Sequence, residues 1–119
     1  MENRPQVKIV NQTKNTVLAE NASLAQTPLA RMKGLLGRKE LKPGEAIILK
    51  PCNSIHTFFM RFAIDILFID KNNKVVKSIP SLKPFRITGI YLSADSAIEL
   101  PSGTIKSSLT AKGDALLLE

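Results

Sequence analysis

The sequence predicts an α+β domain, mostly β: a small antiparallel, barrel-like sheet of about seven or eight short strands, covered by one main helix. Three observations predict it. Short apolar runs recur along the chain, each bounded by a turn signal in Pro, Gly, Asn or Asp. Only one stretch carries a sustained helical period. The connections between the apolar runs are too short to hold repeated βαβ units.

In chain order, Gln6–Val10 and Thr16–Ala19 are β-type runs around the polar Asn11–Asn15, which predicts an opening hairpin, and Asn21–Ser23 reads as loop. The main helix follows. Thr27 is a good N-cap, and Pro28 suits the first helical position, where no N–H is required. Leu29, Met32, Leu35 and Leu36 share one face, and Gly37 suits a left-handed C-cap. Gly34, inside the helix, marks close packing against a strand. Lys42-Pro43-Gly44 is a turn, and Ala46–Leu49 is a strand apolar on both faces, ended by Pro51. Ile64–Ile69 is a stronger strand of the same kind. Lys71-Asn72-Asn73-Lys74 turns it into Val75–Ile79. Pro80 and Pro84 confine the next segment to an edge or a loop. Ile87–Leu92 reads as a weak strand and Ser96–Leu100 as a firmer one. Thr104–Leu109 is a helical turn after Pro101-Ser102-Gly103, and Gly113-Asp114 introduces a last strand, Ala115–Leu118.

All of this fits one domain over residues 1–119, long enough to bury a core without disulfides. A single cysteine forms no internal disulfide, the opening MENRPQVKIV has no apolar signal-peptide core, and no apolar run approaches the roughly 18 residues of a membrane span. A cytoplasmic monomer with no membrane span is therefore expected. The net charge is +7 and uneven: residues 71–86 carry five basic side chains and no acidic one. Twelve of the seventeen cations are Lys rather than the Arg that forks phosphates and reads bases, so a solvated basic surface is expected and nucleic-acid binding is not.

The rarest chemistry is concentrated in PCNSIHTFFMRFAIDILFID, residues 51–70. It holds the only cysteine (Cys52), the only histidine (His56) and four of the five phenylalanines. This segment also carries a family likeness. Thr27, Arg31 and Gly34-Leu35-Leu36 are followed by Ser54-Ile55-His56-Thr57-Phe58-Phe59-Met60-Arg61-Phe62 and Ile64-Asp65-Ile66-Leu67-Phe68-Ile69-Asp70. Val75-Val76, Ile98-Glu99-Leu100-Pro101-Ser102-Gly103 and Gly113-Asp114 complete the set. Together these resemble the uncharacterised domain-of-unknown-function family 192 (uncharacterised protein family 0127), in its histidine-threonine branch. Ser102-Gly103 stands where ala-gly is more usual in that family. The resemblance implies a small β-rich fold with one helix and supplies no activity.

Three constellations lie in the segment. Cys52, His56 and Met60 fall at i, i+4 and i+8 and are soft-metal ligands by type. On a strand, however, they would form a row about 26 Å long, and the second histidine of a blue-copper site is missing, so no metal and no cofactor are expected. Cys52 and His56 are also candidates for a catalytic nucleophile and base, with Asp65 or Asn53 to orient the imidazole. Arg61 and Asp65 sit in the apolar FFMRFAIDILF. Burying either without a partner is costly, so they pair with each other, or Asp65 accepts backbone N–H groups, or Arg61 lines a cleft and forks an anion. Glu99 and Asp114 are either turn-orienting or, for Glu99, an outward residue of an alternating strand. The expected function is a non-catalytic binding module. Its cleft near residues 54–65 takes a small anionic ligand, a peptide or a protein partner through His56, Thr57, Phe59, Met60, Arg61 and Asp65. The alternative is a small Cys/His-dependent hydrolase or redox enzyme, or a soft-metal-binding protein, on Cys52, His56 and Met60.

Overall fold

The computed structural model describes residues 6–26, 40–58 and 60–119. Seven strands form one sheet: β1 (Gln6–Asn11), β2 (Thr16–Ala25), β3 (Glu45–Leu49), β4 (Ile64–Ile69), β5 (Val75–Leu82), β6 (Ser96–Pro101) and β7 (Leu116–Leu118). Their order is β5-β4-β6-β3-β2-β1-β7. All pairings are antiparallel except β2 with β3, which run parallel. The sheet curls until its two ends meet at one point. There Lys74 bridges Ala115, Val75 N–H donates to Asp114 O (2.9 Å) and Leu116 N–H donates to Asn73 O (2.9 Å). This half-barrel carries one short helix among the described residues, α1 (Thr104–Ser108), packed against β2 and β5. One turn of helix does not cover a seven-stranded sheet. The main helix expected at residues 27–37 lies outside the described residues.

β4 and β6 lie inside the sheet and are buried on both faces, because apolar side chains point both ways from each. Along β4, Leu67 and Ile69 enter one core cluster, with Ile9, Leu18, Ile48, Ile98, Leu100 and Leu116. Ile64, Ile66 and Phe68 enter a second, on the other face, with Ile47, Leu49, Ile55, Met60 and Ala97. Alternation on a strand thus serves two cores at once. The Asp70 turn into β5 is fixed as its sequence implies. Asp70 Oδ1 accepts Asn72 N–H (2.8 Å) and Lys74 N–H (3.0 Å), and Asn73 takes a left-handed φ of 60°.

Three expectations are corrected. Asn21–Ser23 is strand, not loop: β2 continues to Ala25, and these residues pair with Val7 and Gln6 on one side and with Glu45–Ile47 on the other. Pairing on two sides overrides the weak β preference of Asn, Ala and Ser. Ile87–Leu92 is not a strand. A single bridge, Ile87 to His56, is all the regular pairing it makes, and Ile87, Ile90 and Leu92 are exposed. Glu99 does not face outward. It is buried on β6, with Ile47 and Ile66 as its partners on the two flanking strands, because β6 is covered on both faces.

Candidate functional site

Residues 53–58 form an irregular ladder with residues 85–91, laid across the second core face. Ile55 N–H donates to Thr88 Oγ1 (2.9 Å), and Ile55 O accepts Thr88 N–H (2.8 Å). Thr57 N–H donates to Arg86 O (2.8 Å), Phe85 N–H to Thr57 O (3.1 Å) and Tyr91 N–H to Asn53 O (2.9 Å). The Tyr91 ring packs on Phe68 at 4.7 Å between centroids, which roots the loop in the core.

The predicted site residues divide by depth. Thr57 is fully buried, and its hydroxyl is engaged in both senses: it donates to Lys83 O (2.6 Å) and accepts Arg86 N–H (2.9 Å). Met60 is buried among Ile64, Ile66 and Ile55. Asp65 is fully buried on the opposite face of β4. Its carboxylate accepts Ser81 N–H (2.8 Å), Gly103 N–H (3.1 Å) and Ile105 N–H (2.8 Å). A bulge frees the Ser81 donor: Ile66 pairs with Ile79, but Ile64 pairs with Leu82, so β5 carries one extra residue around Pro80-Ser81. Asp65 thus ties the end of β5 to the start of α1 and forms no ion pair with Arg61. Arg61 is exposed rather than sunk in its apolar neighbourhood. His56 is also exposed, with its ring stacked on Phe58 at 5.4 Å. Phe59 lies outside the described residues.

The Cys52 thiol donates to the carbonyl of Ser54 (3.2 Å), and Cys52 packs at the edge of the cluster that holds Met60. The imidazole of His56 stands outside that cluster. Among the described residues, no three His, Cys, Asp or Glu side chains gather where they could share a metal ion.

Two shallow depressions are present among the described residues. One, about 450 Å³, is lined by Val17–Glu20, Pro43, Gly44, Pro101–Thr104 and Ser107. The other, about 290 Å³, lies between Pro51–Asn53 and Ala94-Asp95, at the foot of the ladder.

Sequence reasoning passed over the ladder's outer surface. Phe58 (39% exposed), Phe85 (63%), Ile87 (69%), Ile90 (68%) and Leu92 (89%) all project from it. Of the large exposed hydrophobic side chains among the described residues, only Val17, Leu109 and Leu117 lie elsewhere. The available signal was a cluster of large apolar residues between Pro84 and Ser93, interspersed with Arg86, Thr88 and Gly89. Within the segments that build it and their flanks, residues 53–64 and 71–94, there are six Lys or Arg and no Asp or Glu.

Among known proteins, residues 9–118 match the family model DUF192, described as an uncharacterized ACR. UPF0127 protein PH1112 of Pyrococcus horikoshii is 34% identical over 114 residues, covering 91% of this chain and 96% of that one. UPF0127 protein TK1120 of Thermococcus kodakarensis is 30% identical over 112 residues, covering 91% of this chain and 71% of its own. A solved structure from Sinorhizobium meliloti, carried as a provisional transcription regulator, superimposes with a TM-score of 0.85 at 17% identity, covering 99% of this chain and 97% of that one. At that identity the likeness is one of fold.

Proposed function

The chain belongs to the uncharacterised DUF192 (UPF0127) family, and we propose that it works there as a non-catalytic binding module for an anionic ligand or peptide. The binding surface is the outer side of the ladder. His56 and Arg61 offer hydrogen-bond donors to the negative group, and Phe58 offers apolar contact. Thr57, Met60 and Asp65 serve from beneath, by holding the ladder and the strand that carries it.

One observation carries this reading: large apolar side chains are exposed on a hydrogen-bonded loop whose own residues, 83–92, carry Lys83 and Arg86 and no acid. Exposing such side chains does nothing for the stability of the isolated domain, and clustering five of them on one pair of hydrogen-bonded segments marks an interaction site. Donation of the Cys52 thiol to a backbone carbonyl favours binding over Cys/His catalysis.

The test is a fluorescence titration with anilinonaphthalene sulfonate, an anionic aromatic probe. Saturable binding at neutral pH is expected, weakened about tenfold by Arg61→Ala together with Phe58→Ser. Binding that these substitutions leave unchanged would place the site elsewhere.

A further inference from the structure

We propose that the ladder docks this protein on the surface of an anionic phospholipid bilayer, a reading that rests on the binding-module assignment and names its ligand. The apolar tips are strongly exposed. Ile87, Ile90 and Leu92 are between 68% and 89% exposed, so they stand proud of the surface. The described depressions are lined by other residues. A projecting rim of aliphatic and aromatic tips suits a soft apolar layer that they can enter.

The loop is also well tied down. Its backbone is tied to Asn53, Ile55 and Thr57 by the ladder bonds, and Tyr91 is anchored on Phe68. The tips are therefore presented with little backbone ordering left to do at contact.

Charge narrows the choice of partner. Lys83 and Arg86 flank the tips, and Arg61 and His56 lie on the neighbouring segment, with no acidic residue in residues 53–64 or 71–94. A second copy of this face would bring like charges together, which opposes a homodimer here. A nucleic acid would use the cations but leave Ile87, Ile90 and Leu92 without apolar contact. A bilayer rich in phosphatidylglycerol satisfies both features: its phosphates meet the cations, and its acyl boundary takes the tips. No helix among the described residues is long and apolar enough to cross a membrane, so the docking is peripheral.

The experiment is co-sedimentation of the full chain with vesicles of phosphatidylcholine, with and without phosphatidylglycerol. Binding is expected only where phosphatidylglycerol is present, and it should fall as salt is added. The variant carrying Ile87→Ser, Ile90→Ser and Leu92→Ser should partition about a hundredfold more weakly. Lys83→Glu with Arg86→Glu should also lose about a hundredfold. The chain has no tryptophan, so Leu92→Trp provides a single reporter at a tip. Its emission should shift to the blue with anionic vesicles and stay unchanged with neutral ones.

Absence of vesicle binding alongside intact, ladder-dependent dye binding overturns bilayer docking and leaves the binding module standing. Loss of both overturns both. Salt-sensitive binding to single-stranded DNA that survives removal of the three tips, without vesicle binding, overturns the proposal in favour of nucleic acid.

Discussion

The two faces of the sheet treat their buried acids in opposite ways. On the face that carries α1 and closes the half-barrel, polar groups are buried and satisfied. Asp65 takes three backbone N–H donors. Asp114 is held by Asn11 Nδ2 (2.9 Å), Lys14 Nζ (2.9 Å) and Ala111 N–H (3.0 Å). On the face beneath the ladder, Glu99 is buried with its Oε1 lacking any hydrogen-bond partner, and beyond it apolar tips stand in water. Asp65 and Glu99 are one register step apart on neighbouring strands, since Asp65 pairs with Leu100 and Ile66 pairs with Glu99. Proximity in the sheet therefore does not decide how a buried acid behaves; the donors within reach do. The first face is built for stability. The second tolerates unfavourable groups, which is the pattern expected where a surface serves something other than folding.

Removing the Asp65 carboxylate should have the largest effect. Asp65→Ala strands three N–H groups, at the β5 bulge and at the start of α1, and should cost roughly 3–5 kcal/mol in urea unfolding. A loss below about 1 kcal/mol would erase the contrast between the faces.

Glu99 should come next. Burial without a compensating donor raises its pKa from 4.5 to about 7. Its proton is bound more tightly in the folded chain than in the unfolded one. Its stabilising contribution is thus complete below about pH 4.5 and falls away as pH rises to about 7, by about 3 kcal/mol in all. Glu99→Gln should flatten that part of the stability profile. An unchanged slope would mean the side chain finds a partner after all.

Asp114 should show the opposite dependence. Burial opposes its ionisation, but the bonds from Asn11, Lys14 and Ala111 outweigh that and hold its pKa below the usual value. Its contribution is present above the ordinary Asp range and lost as pH falls through the depressed value, so Asp114→Asn should shrink the acid-side loss of stability.

The smallest effect belongs to the ladder tips. Ile87→Ser, Ile90→Ser and Leu92→Ser should each change folding stability by no more than about 0.5 kcal/mol, because the side chains they remove are already solvated.

Much of the fold was legible in local sequence. The run Ile64–Ile69, apolar except for Asp65, fixes strand β4, Asp70–Lys74 its turn, and Pro80 the confinement of β5 to the end of the sheet order. What was not legible depends on distant partners. β2 runs on through Asn21–Ser23 because β3 lies alongside it. Glu99 is buried because both faces of β6 are covered, which period-two alternation cannot reveal. For the site, the rarity of Cys52, His56 and Arg61 pointed to the stretch that pairs with residues 85–91. It could not tell which side chains are spent inside. The Thr57 hydroxyl is engaged by residues 26 and 29 positions away, and Asp65 by residues 16, 38 and 40 positions away. No local pattern encodes such pairings.

The most direct test is a map of backbone amide shifts in the folded protein as dihexanoyl phosphatidylglycerol is added below its micelle concentration. Shifts confined to residues 55–62 and 83–92, with β1 and β7 still, are the predicted result. Shifts centred instead on Val17–Glu20 and Pro101–Thr104 would contradict the assignment of the ladder as the binding surface.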